Sequence, residues 1–241
     1  MSNNVYIEHH KRRFVKTLDF LGAESYNNIL DLSCFPGEFG LLLKIKYPKS
    51  DIVLADMEEL AIPVAANKVR FVRIGNLNKD KLLFDDDSFD LITNLEVIEH
   101  LYHPDILLAE IYRVLKPGGT LIPSTPNLAS WINRILLLFG YFPRGMSISV
   151  KANLKGASDF LPRSLKESQE QAEFDYHIRL YTFGALKILL REHNFRVLKT
   201  KGVYGFKSRQ SNLLVKTVHL ITESLAPSCA QFILVKAVGD K

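Results

Sequence analysis

The chain has 241 residues, of which 47% are hydrophobic, and carries a formal net charge of +5. This length and apolar content predict one substantial folded domain over 1–241, and they exclude a disordered or fibrous chain. We expect no signal peptide and no transmembrane segment, because the apolar run around 135–139 is far short of the ~20 residues that span a bilayer. Two cysteines, Cys34 and Cys229, are too few for a disulfide framework, which favours a cytoplasmic protein.

The basic residues form two clusters, whose ordinary interpretation is a well-solvated surface. The alternative is attraction to an anionic acceptor, or a peripheral contact with a membrane surface. Neither cluster has the interleaved aromatic residues of a single-strand nucleic-acid platform, so nucleic acid is not an expected partner. The sequence leaves the oligomeric state open. The two clusters are His9, His10, Lys11, Arg12 and Arg13, and Lys199, Lys201, Lys207 and Arg209.

Short β-rich runs alternate with helical patterns along the first half of the chain. An amphipathic helix is predicted at 5–21, and further helices are predicted to begin after Gly37 and near Asp105. The helix that begins near Asp105 is predicted to end at the Lys-Pro-Gly-Gly sequence of 116–119. This alternation predicts a parallel sheet with right-handed crossovers. The predicted strands are 28–32, 52–55, 69–74, 89–93 and 120–123.

The second half begins with a segment of different character, 127–178. It contains an apolar helix candidate at 128–139, a turn at 140–145 and a polar stretch. An insertion after the fifth strand would lie beside a crevice at the carboxyl edge of the sheet. We interpret it as a helical lid or acceptor-binding part, and the alternative is a surface excursion with its own small core. Two more strands, 195–203 and 231–238, with a helix at 213–225, are predicted to complete the fold.

The stretch ILDLSCFPGEFG, residues 29–40, is the most informative one for function. An apolar run ends at Asp31, turns through 33–37 and enters a helix. Such a turn brings backbone N–H groups and a positive helix end together, where α/β proteins hold nucleotide-like cofactors. Asp56, which follows the next strand, could accept both hydrogen bonds of a ribose diol. The ordinary alternative for Asp56 is a helix cap.

These pieces resemble the class I S-adenosylmethionine-dependent methyltransferases of the type 11 group. Asp31 and Gly37 match the first motif, Asp56 matches the ribose-binding acid, and EVIEHL and LKPGGTLIPSTPN match the fourth and fifth strand regions. The segment 179–206 is similar to the last helix and sixth strand of the group. The resemblance covers most of the chain.

The resemblance implies a doubly wound, Rossmann-like α/β fold whose mostly parallel sheet has an antiparallel last strand. It also implies S-adenosyl-L-methionine as the cofactor. Met57 would pack on the adenine or simply fill core, and Asn76 stands where many members of the group carry Asp. The implied cofactor-binding residues are Asp31, Ser33, Phe35, Gly37, Asp56, Met57, Gly75, Asn76, Leu77, Asn94, Leu95 and Glu96.

The first motif departs from the family pattern at Ser33 and Phe35, where glycine is usual. Glycine permits positive φ and close approach of a ligand, and a positive φ at Phe35 would be strained. Either the loop takes another course and Phe35 covers the cofactor, or cofactor affinity is weakened. The second possibility leaves open a catalytically inactive binding or scaffold protein.

Glu96, Glu99 and His100 in EVIEHL have the i, i+3, i+4 spacing that places three side chains on one face of a helical turn. Two carboxylates and an imidazole could hold a divalent metal, and the similar ubiquinone-biosynthesis O-methyltransferases have a related group that has been linked to one. The alternative, which we favour, is that the two glutamates cap a helix start and no metal binds. His100 and His177 are then the candidate general bases near the acceptor.

Other nucleotide-binding families fit the sequence poorly. The turn reads SCFPGEFG, which has neither the G-x-G-x-x-G of a dinucleotide fold nor a P-loop lysine. After the fourth strand, 93–96 lacks the Asn/Asp-Pro-Pro-aromatic motif of nucleic-acid amino-methyltransferases. We therefore predict methyl transfer to a hydroxyl, or less readily an amino group, of a small or carrier-linked acceptor. The resemblance suggests surface polysaccharide or secondary metabolism, with Trp131, Tyr141, Phe142 and Arg144 selecting the acceptor.

Overall fold

The computed structural model describes residues 3–58, 69–147, 177–204 and 226–241, together with Thr217 and Ile221. In chain order, the elements are α1 (Asn3–Leu21), β1 (Asn28–Leu32), α2 (Glu38–Lys46), β2 (Asp51–Asp56), β3 (Arg70–Arg73), β4 (Phe89–Leu95), α3 (Pro104–Val114), β5 (Leu115–Pro126), α4 (Trp131–Leu138), α5 (Phe183–Glu192), β6 (Phe195–Val203) and β7 (Phe232–Gly239).

The strands form one sheet of seven strands in the order β3-β2-β1-β4-β5-β7-β6. The pairs from β3 to β5 are parallel, and β7 runs antiparallel to both β5 and β6. The strand order reverses between β1 and β4, which is the topological switch point of a doubly wound sheet. The predicted fold class, including an antiparallel last strand, is confirmed.

The apolar residues of β1 alternate between two layers of helices. Leu30 and Leu32 join one buried cluster, to which α3 contributes Ile111 and α5 contributes Leu186. Ile29 joins a second cluster with side chains of α1 and α2. Successive side chains of a strand point to opposite faces of the sheet, so this alternation places helices on both faces. The core therefore lies on both sides of a buried sheet, as the near-continuous apolar strands require.

The predicted elements and the observed ones differ mainly at their ends. β4 extends to Leu95 and β2 to Asp56, so both strands continue to the residues of the predicted site. The sequence 116–119 was predicted to stop a helix before the fifth strand, but β5 already begins at Leu115 and pairs there with Phe89 across an irregular register. Residues 116–119 lie at this irregularity, between the paired positions Leu115 and Thr120, in keeping with the low strand propensity of Pro and Gly.

Two predictions fall wholly or largely outside the described residues. The helix predicted at 213–225 is one, and most of the insertion at 127–178 is the other. The described first part of the insertion contains α4, which lies within the helix predicted at 128–139. The chain enters and leaves the insertion at neighbouring points. Asn127 pairs with Tyr181 in a short parallel bridge, and the Leu128 N–H donates to the Tyr181 carbonyl over 2.9 Å. Among the described residues, no helix has both the length and the apolar character needed to cross a membrane.

Candidate active site

The predicted cofactor residues follow strands that end at one edge of the sheet. β1 ends at Leu32, β2 at Asp56 and β4 at Leu95. Because the strand order reverses between β1 and β4, the loops after these two strands diverge and leave a crevice between them. The structure therefore brings the β1–α2 turn, the β2 end and the β4 end together, as the sequence predicts.

The β1–α2 turn places its positive φ angles away from Phe35. Ser33 has φ 58° and Gly37 has φ 106°, so the left-handed positions are held by a small residue and by glycine. The Ser33 N–H donates to the Ala55 carbonyl over 2.7 Å, which ties the turn to the neighbouring strand. The Phe35 side chain is 49% exposed at this surface. Phe35 is not among the residues with positive φ, so the strain expected from such an angle at Phe35 is absent, and whether Phe35 covers the cofactor stays a prediction.

Asp31 is a buried carboxylate with one oxygen unsatisfied. Thr93 Oγ1 donates to its Oδ1 over 2.7 Å, and among the described residues Oδ2 has no hydrogen-bond partner. Burial raises the pKa of Asp31 to about 7 against the opposing Thr93 hydrogen bond, and the Asp56 carboxylate adds to the rise. Since a buried lone oxygen is costly, Oδ2 fits a ligand that brings a cationic donor, such as the ammonium of an amino acid.

Asp56 organises the adjacent loops from the end of β2. Its Oδ2 accepts from the Phe35 N–H over 2.8 Å, and its Oδ1 accepts from the Glu58 N–H over 2.9 Å. Each carboxylate oxygen has a second acceptor site left, so the predicted bidentate acceptance of a ribose diol is compatible with these bonds. Met57 follows directly and is 45% exposed, which suits a side chain that covers a flat ring.

The loop after β3 is held by its own hydrogen bonds. The Asn76 N–H donates to Asp80 Oδ2 over 2.7 Å, and Asn76 Oδ1 accepts from the Asn78 N–H over 2.9 Å. A Cβ on Gly75 would lie 2.4 Å from the same Asp80 oxygen, so glycine permits this close turn. Leu77 is buried in the core. The predicted adenine contacts of Gly75, Asn76 and Leu77 stay predictions, and Leu77 has an evident packing role.

The end of β4 departs from the predicted helical turn. Glu96 has φ 59°, and only 98–100 form a short 3-10 turn after it. Its carboxylate accepts from Ser124 Oγ over 2.6 Å and forms an ion pair with Arg13 of α1 at 3.1 Å. A left-handed residue breaks the i, i+3 geometry, so the prediction that Glu96, Glu99 and His100 share one helical face is wrong. Asn94 and Leu95 are the last residues of β4, the Asn94 amide donates to the Leu32 carbonyl, and their contacts with the cofactor stay predictions.

A second group forms beside the crevice, and we call Glu99, His100 and His177 the acceptor cluster. One donor atom from each lies within 4.8 Å of the others, and the two imidazole rings meet edge to face with centroids 4.7 Å apart. His177 reaches this place because the Glu99 carbonyl accepts from the Ile178 and Arg179 N–H groups. Both predicted catalytic histidines therefore share one site.

The acceptor cluster contains a buried carboxylate and an oriented imidazole. Thr125 Oγ1 donates to Glu99 Oε2 over 3.0 Å, while within the described part of the chain nothing bonds to Oε1. Burial raises the pKa of Glu99, the Glu96 carboxylate adds to the rise, and His177 opposes it. His177 Nδ1 lies at hydrogen-bond distance from the Gly145 carbonyl, which can only accept, so Nδ1 carries a proton.

Several residues of this site were missed by the sequence analysis. Ser124 and Thr125 lie near the carboxyl end of β5 and donate hydrogen bonds to Glu96 and Glu99. Thr93 donates one to Asp31. Their position at the carboxyl end of a predicted parallel strand was a usable signal. Arg13 had been assigned to a charge cluster, yet its side chain is only 6% exposed. The ion pair joins Arg13 to Glu96, and no local sequence pattern indicates a pairing between residues so far apart in the chain.

The chain matches the methyltransferase domain family over residues 6–200. It is similar to the demethylmenaquinone methyltransferase of Thermus thermophilus, with 28% identity over 188 residues that cover 72% of this chain and 86% of the relative. It is also similar to the ubiquinone/menaquinone biosynthesis C-methyltransferase UbiE of Psychromonas ingrahamii, with 34% identity over 113 residues. That match covers 44% of this chain, which spans only 45% of this relative's length.

A solved structure shows the same fold. The SAM-dependent methyltransferase of Thermotoga maritima superposes with a TM-score of 0.61 at 16% identity, over 99% of this chain and 94% of that chain. Identity at this level supports the fold alone. The family match covers most of the chain and includes the β1–α2 turn, Asp31, Asp56, Glu99 and His100. The chain therefore belongs to the methyltransferase domain family, and S-adenosylmethionine is its cofactor.

Proposed function

We propose that this methyltransferase transfers the methyl group of S-adenosylmethionine to an oxygen of a hydroxyl-bearing acceptor held at the acceptor cluster. The observation that carries the proposal is Glu99, a fully buried carboxylate with an unsatisfied Oε1 beside two imidazoles. A group so costly to bury is expected to serve a ligand that supplies a hydroxyl or a cation.

The cofactor would be held by the two aspartates of the crevice. Asp31 Oδ2 would accept from the cofactor's ammonium, and the Asp56 carboxylate would accept from its ribose hydroxyls. Met57 would cover the adenine, and Phe35 would lie over the cofactor from the turn. These residues fit S-adenosylmethionine, because its cationic ammonium would meet the unsatisfied, buried Oδ2 of Asp31.

The chemical step needs little from the protein beyond position. The acceptor oxygen forms a bond to the methyl carbon while the carbon–sulfur bond breaks, and S-adenosylhomocysteine leaves. The lone pair of His177 Nε2 would take the acceptor's proton, since Nδ1 is committed to the Gly145 carbonyl. Collinear placement in a water-poor pocket supplies most of the rate.

The acceptor cluster also has the donors of a divalent cation site. Glu99 Oε1 and one ring nitrogen from each of the two histidines would hold the ion, a mixed oxygen and nitrogen set that suits Mn²⁺, Fe²⁺ or Zn²⁺ better than Ca²⁺. His177 Nε2 would then be a ligand and not the base, so the cation site is an alternative to the proton transfer described above. A bound cation would lower the pKa of an acceptor hydroxyl. This set revises the metal candidates of the sequence, because His177 takes the place of Glu96, which is paired with Arg13.

A second candidate reaction is methylation of a ring carbon. The similar proteins of Thermus thermophilus and Psychromonas ingrahamii are described as a demethylmenaquinone methyltransferase and a quinone-biosynthesis C-methyltransferase. Removal of a proton from a quinol hydroxyl makes the neighbouring ring carbon nucleophilic. The same histidine would therefore serve either outcome, and the position of the ring decides which atom meets the methyl group.

The deciding experiment is methylation with cofactor labelled at the methyl carbon with carbon-13. Catechol, quinol and polyhydroxy acceptors are offered to chelator-treated protein with and without Mn²⁺ or Mg²⁺. We expect a methoxy carbon signal for the proposed reaction, whereas a ring-methyl signal would establish carbon methylation. A folded protein that binds neither S-adenosylmethionine nor S-adenosylhomocysteine in calorimetry would support the scaffold alternative and contradict both.

The ribose assignment has its own test in Asp56→Ala. The change removes two carboxylate acceptors and also releases the Phe35 N–H, so we expect S-adenosylmethionine affinity to fall about 30–100-fold. Asp51→Ala is the matched control, because Asp51 begins the same strand at the opposite edge and is exposed. Calorimetric titration of both variants gives the comparison. An Asp56→Ala variant that binds S-adenosylmethionine as tightly as Asp51→Ala would contradict the assignment of ribose binding to Asp56.

A further inference from the structure

Helix α4 turns an apolar face outward. Trp131, Ile135 and Leu138 follow the i, i+4, i+7 spacing of one helix side, and Ile135 and Leu138 are 46% and 79% exposed. The opposite side faces the protein through the buried Asn133 and Leu136. An amphipathic helix of a folded domain normally has the reverse arrangement, with its apolar stripe inside.

The apolar surface continues past the end of α4. Leu137 and Phe139 are 50% and 70% exposed, and Tyr141 follows at 41%. We call Trp131, Ile135, Leu137, Leu138, Phe139 and Tyr141 the α4 patch. Apolar side chains scattered singly over a surface need no explanation, but a contiguous group of this size marks an interaction site.

Within the described stretch 111–147, which contains the α4 patch, every charged residue is basic. Arg134 lies between the apolar residues on the outward side, and Arg144 follows the patch. The sequence contains no acidic residue between Glu110 and Asp159. A helix with Trp and Leu side chains on one side and arginines among them is typical of one that lies in a membrane interface, because an arginine can extend its charge to the headgroups.

The patch is joined to the acceptor cluster by a short set of contacts. The Asn133 side chain accepts from the Arg144 N–H over 2.8 Å and donates to the Arg144 carbonyl over 3.3 Å. The next residue, Gly145, is bonded to His177. The inner side of α4 thus holds the turn that orients His177, while its outer side carries the patch.

From these observations, we propose that the α4 patch docks the protein on a membrane surface containing anionic phospholipid. Charge complementarity favours this occupant, since anionic headgroups attract basic residues beside an interfacial helix. The outward residues of α4 extend around about 160° of its circumference at 100° per residue. A flat, fluid surface can receive such a protruding helix without a matching groove.

Docking here would place the acceptor cluster next to the lipid phase. The substrate class follows: an acceptor dissolved in or anchored to the membrane by an apolar chain, with its hydroxyl-bearing head at the cluster. This last step rests on the proposed function, whereas the docking surface does not.

The test is cosedimentation of the full chain with vesicles of phosphatidylcholine alone and of phosphatidylcholine with phosphatidylglycerol. We expect binding to the anionic vesicles, reduced by salt. Leu138→Glu should weaken it about tenfold or more, because one buried leucine side chain contributes about that factor. Ile45→Glu is the matched control, because Ile45 is 76% exposed near the end of α2, away from the carboxyl edge of the sheet. Thermal melts verify that both variants fold.

Three results would overturn the proposal. The parent chain could fail to bind anionic vesicles, Ile45→Glu could weaken binding as much as Leu138→Glu, or light scattering could show a dimer that Leu138→Glu dissociates without vesicle binding. The last result would assign the patch to a second copy of the chain. Calorimetric cofactor binding, measured in the same samples without lipid, keeps failure of docking separate from failure of the proposed function.

Discussion

Asp31→Asn is expected to stabilise the protein without cofactor at about pH 8 and, at the same pH, to weaken S-adenosylmethionine binding about 10–100-fold. Asparagine can still accept from Thr93 Oγ1 at the same place, but it has no charge to bury. The gain in stability and the loss in binding have one cause, because the unsatisfied Oδ2 that destabilises the cofactor-free protein is the group that the cofactor's ammonium would meet.

The pH dependence of this effect follows from the direction of the pKa shift. Burial raises the pKa of Asp31 from 3.8 to about 7. Between these values the unfolded chain has lost the proton that the folded protein still holds, so the stability contributed by this group is intact below about pH 4 and is lost as the pH rises through about 7. Asparagine removes that loss. The gain of the variant over the parent should therefore be smaller near pH 5 than near pH 8.

The measurements are thermal melts and calorimetric titrations at the two pH values. A gain of about 2 kcal/mol corresponds to about 4–8 °C in melting temperature for a chain of this size. Asp85→Asn, at an exposed loop position, is the control for the change in net charge. Any pH dependence of cofactor binding that survives in Asp31→Asn must come from a group other than Asp31. Equal melting temperatures of parent and variant at both pH values would contradict the claim that a buried charge on Asp31 destabilises the protein.

Glu99→Gln is expected to lower the methylation rate about 100–1000-fold while leaving cofactor affinity within about threefold. Glutamine keeps an acceptor for Thr125 Oγ1 but cannot provide an anionic ligand or balance the charge of a protonated His177. Because Glu99 lies in the acceptor cluster and the cofactor is assigned to Asp31 and Asp56, the loss should fall on the rate.

Two readouts separate metal binding from acid–base chemistry at Glu99. Mn²⁺ binding followed by electron spin resonance should be lost in Glu99→Gln and kept in Glu192→Gln, a substitution at an exposed position of α5. If the parent binds no Mn²⁺ and its rate is unchanged by chelators, Glu99 acts on the histidines alone. A Glu99→Gln variant with full activity would contradict the assignment of this cluster to the acceptor.

The fold was predictable because each strand of the sheet carries its signal locally. The apolar runs that become β1 and β4 are largely buried, and β1 and β6 have the predicted limits. The aspartates at the ends of β1 and β2 were predictable for the same reason, since a strand end fixes where its last side chain lies. Ser33 was a recognised departure, and the structure shows which backbone angle it adopts.

The acceptor cluster was predictable only in part, because its geometry depends on contacts between distant residues. The spacing of EVIEHL suggested one helical face, but the left-handed backbone of Glu96 and its ion pair with Arg13 direct that carboxylate elsewhere. His177 was identified as a candidate base, yet its pairing with His100 depends on hydrogen bonds to the Glu99 carbonyl. No periodic pattern encodes such a contact.

The bridge between Asn127 and Tyr181 has a consequence for how this protein can diversify. The chain leaves the sheet and returns to it at neighbouring points, so the cost of closing the excursion rises only slowly with its length. The intervening segment can be lengthened, shortened or exchanged between relatives without moving the strands that hold Asp31 and Asp56. Under the proposed role of this segment in acceptor binding, chimaeras joined at Asn127 and Tyr181 would exchange acceptor choice and leave the strands of the sheet unchanged.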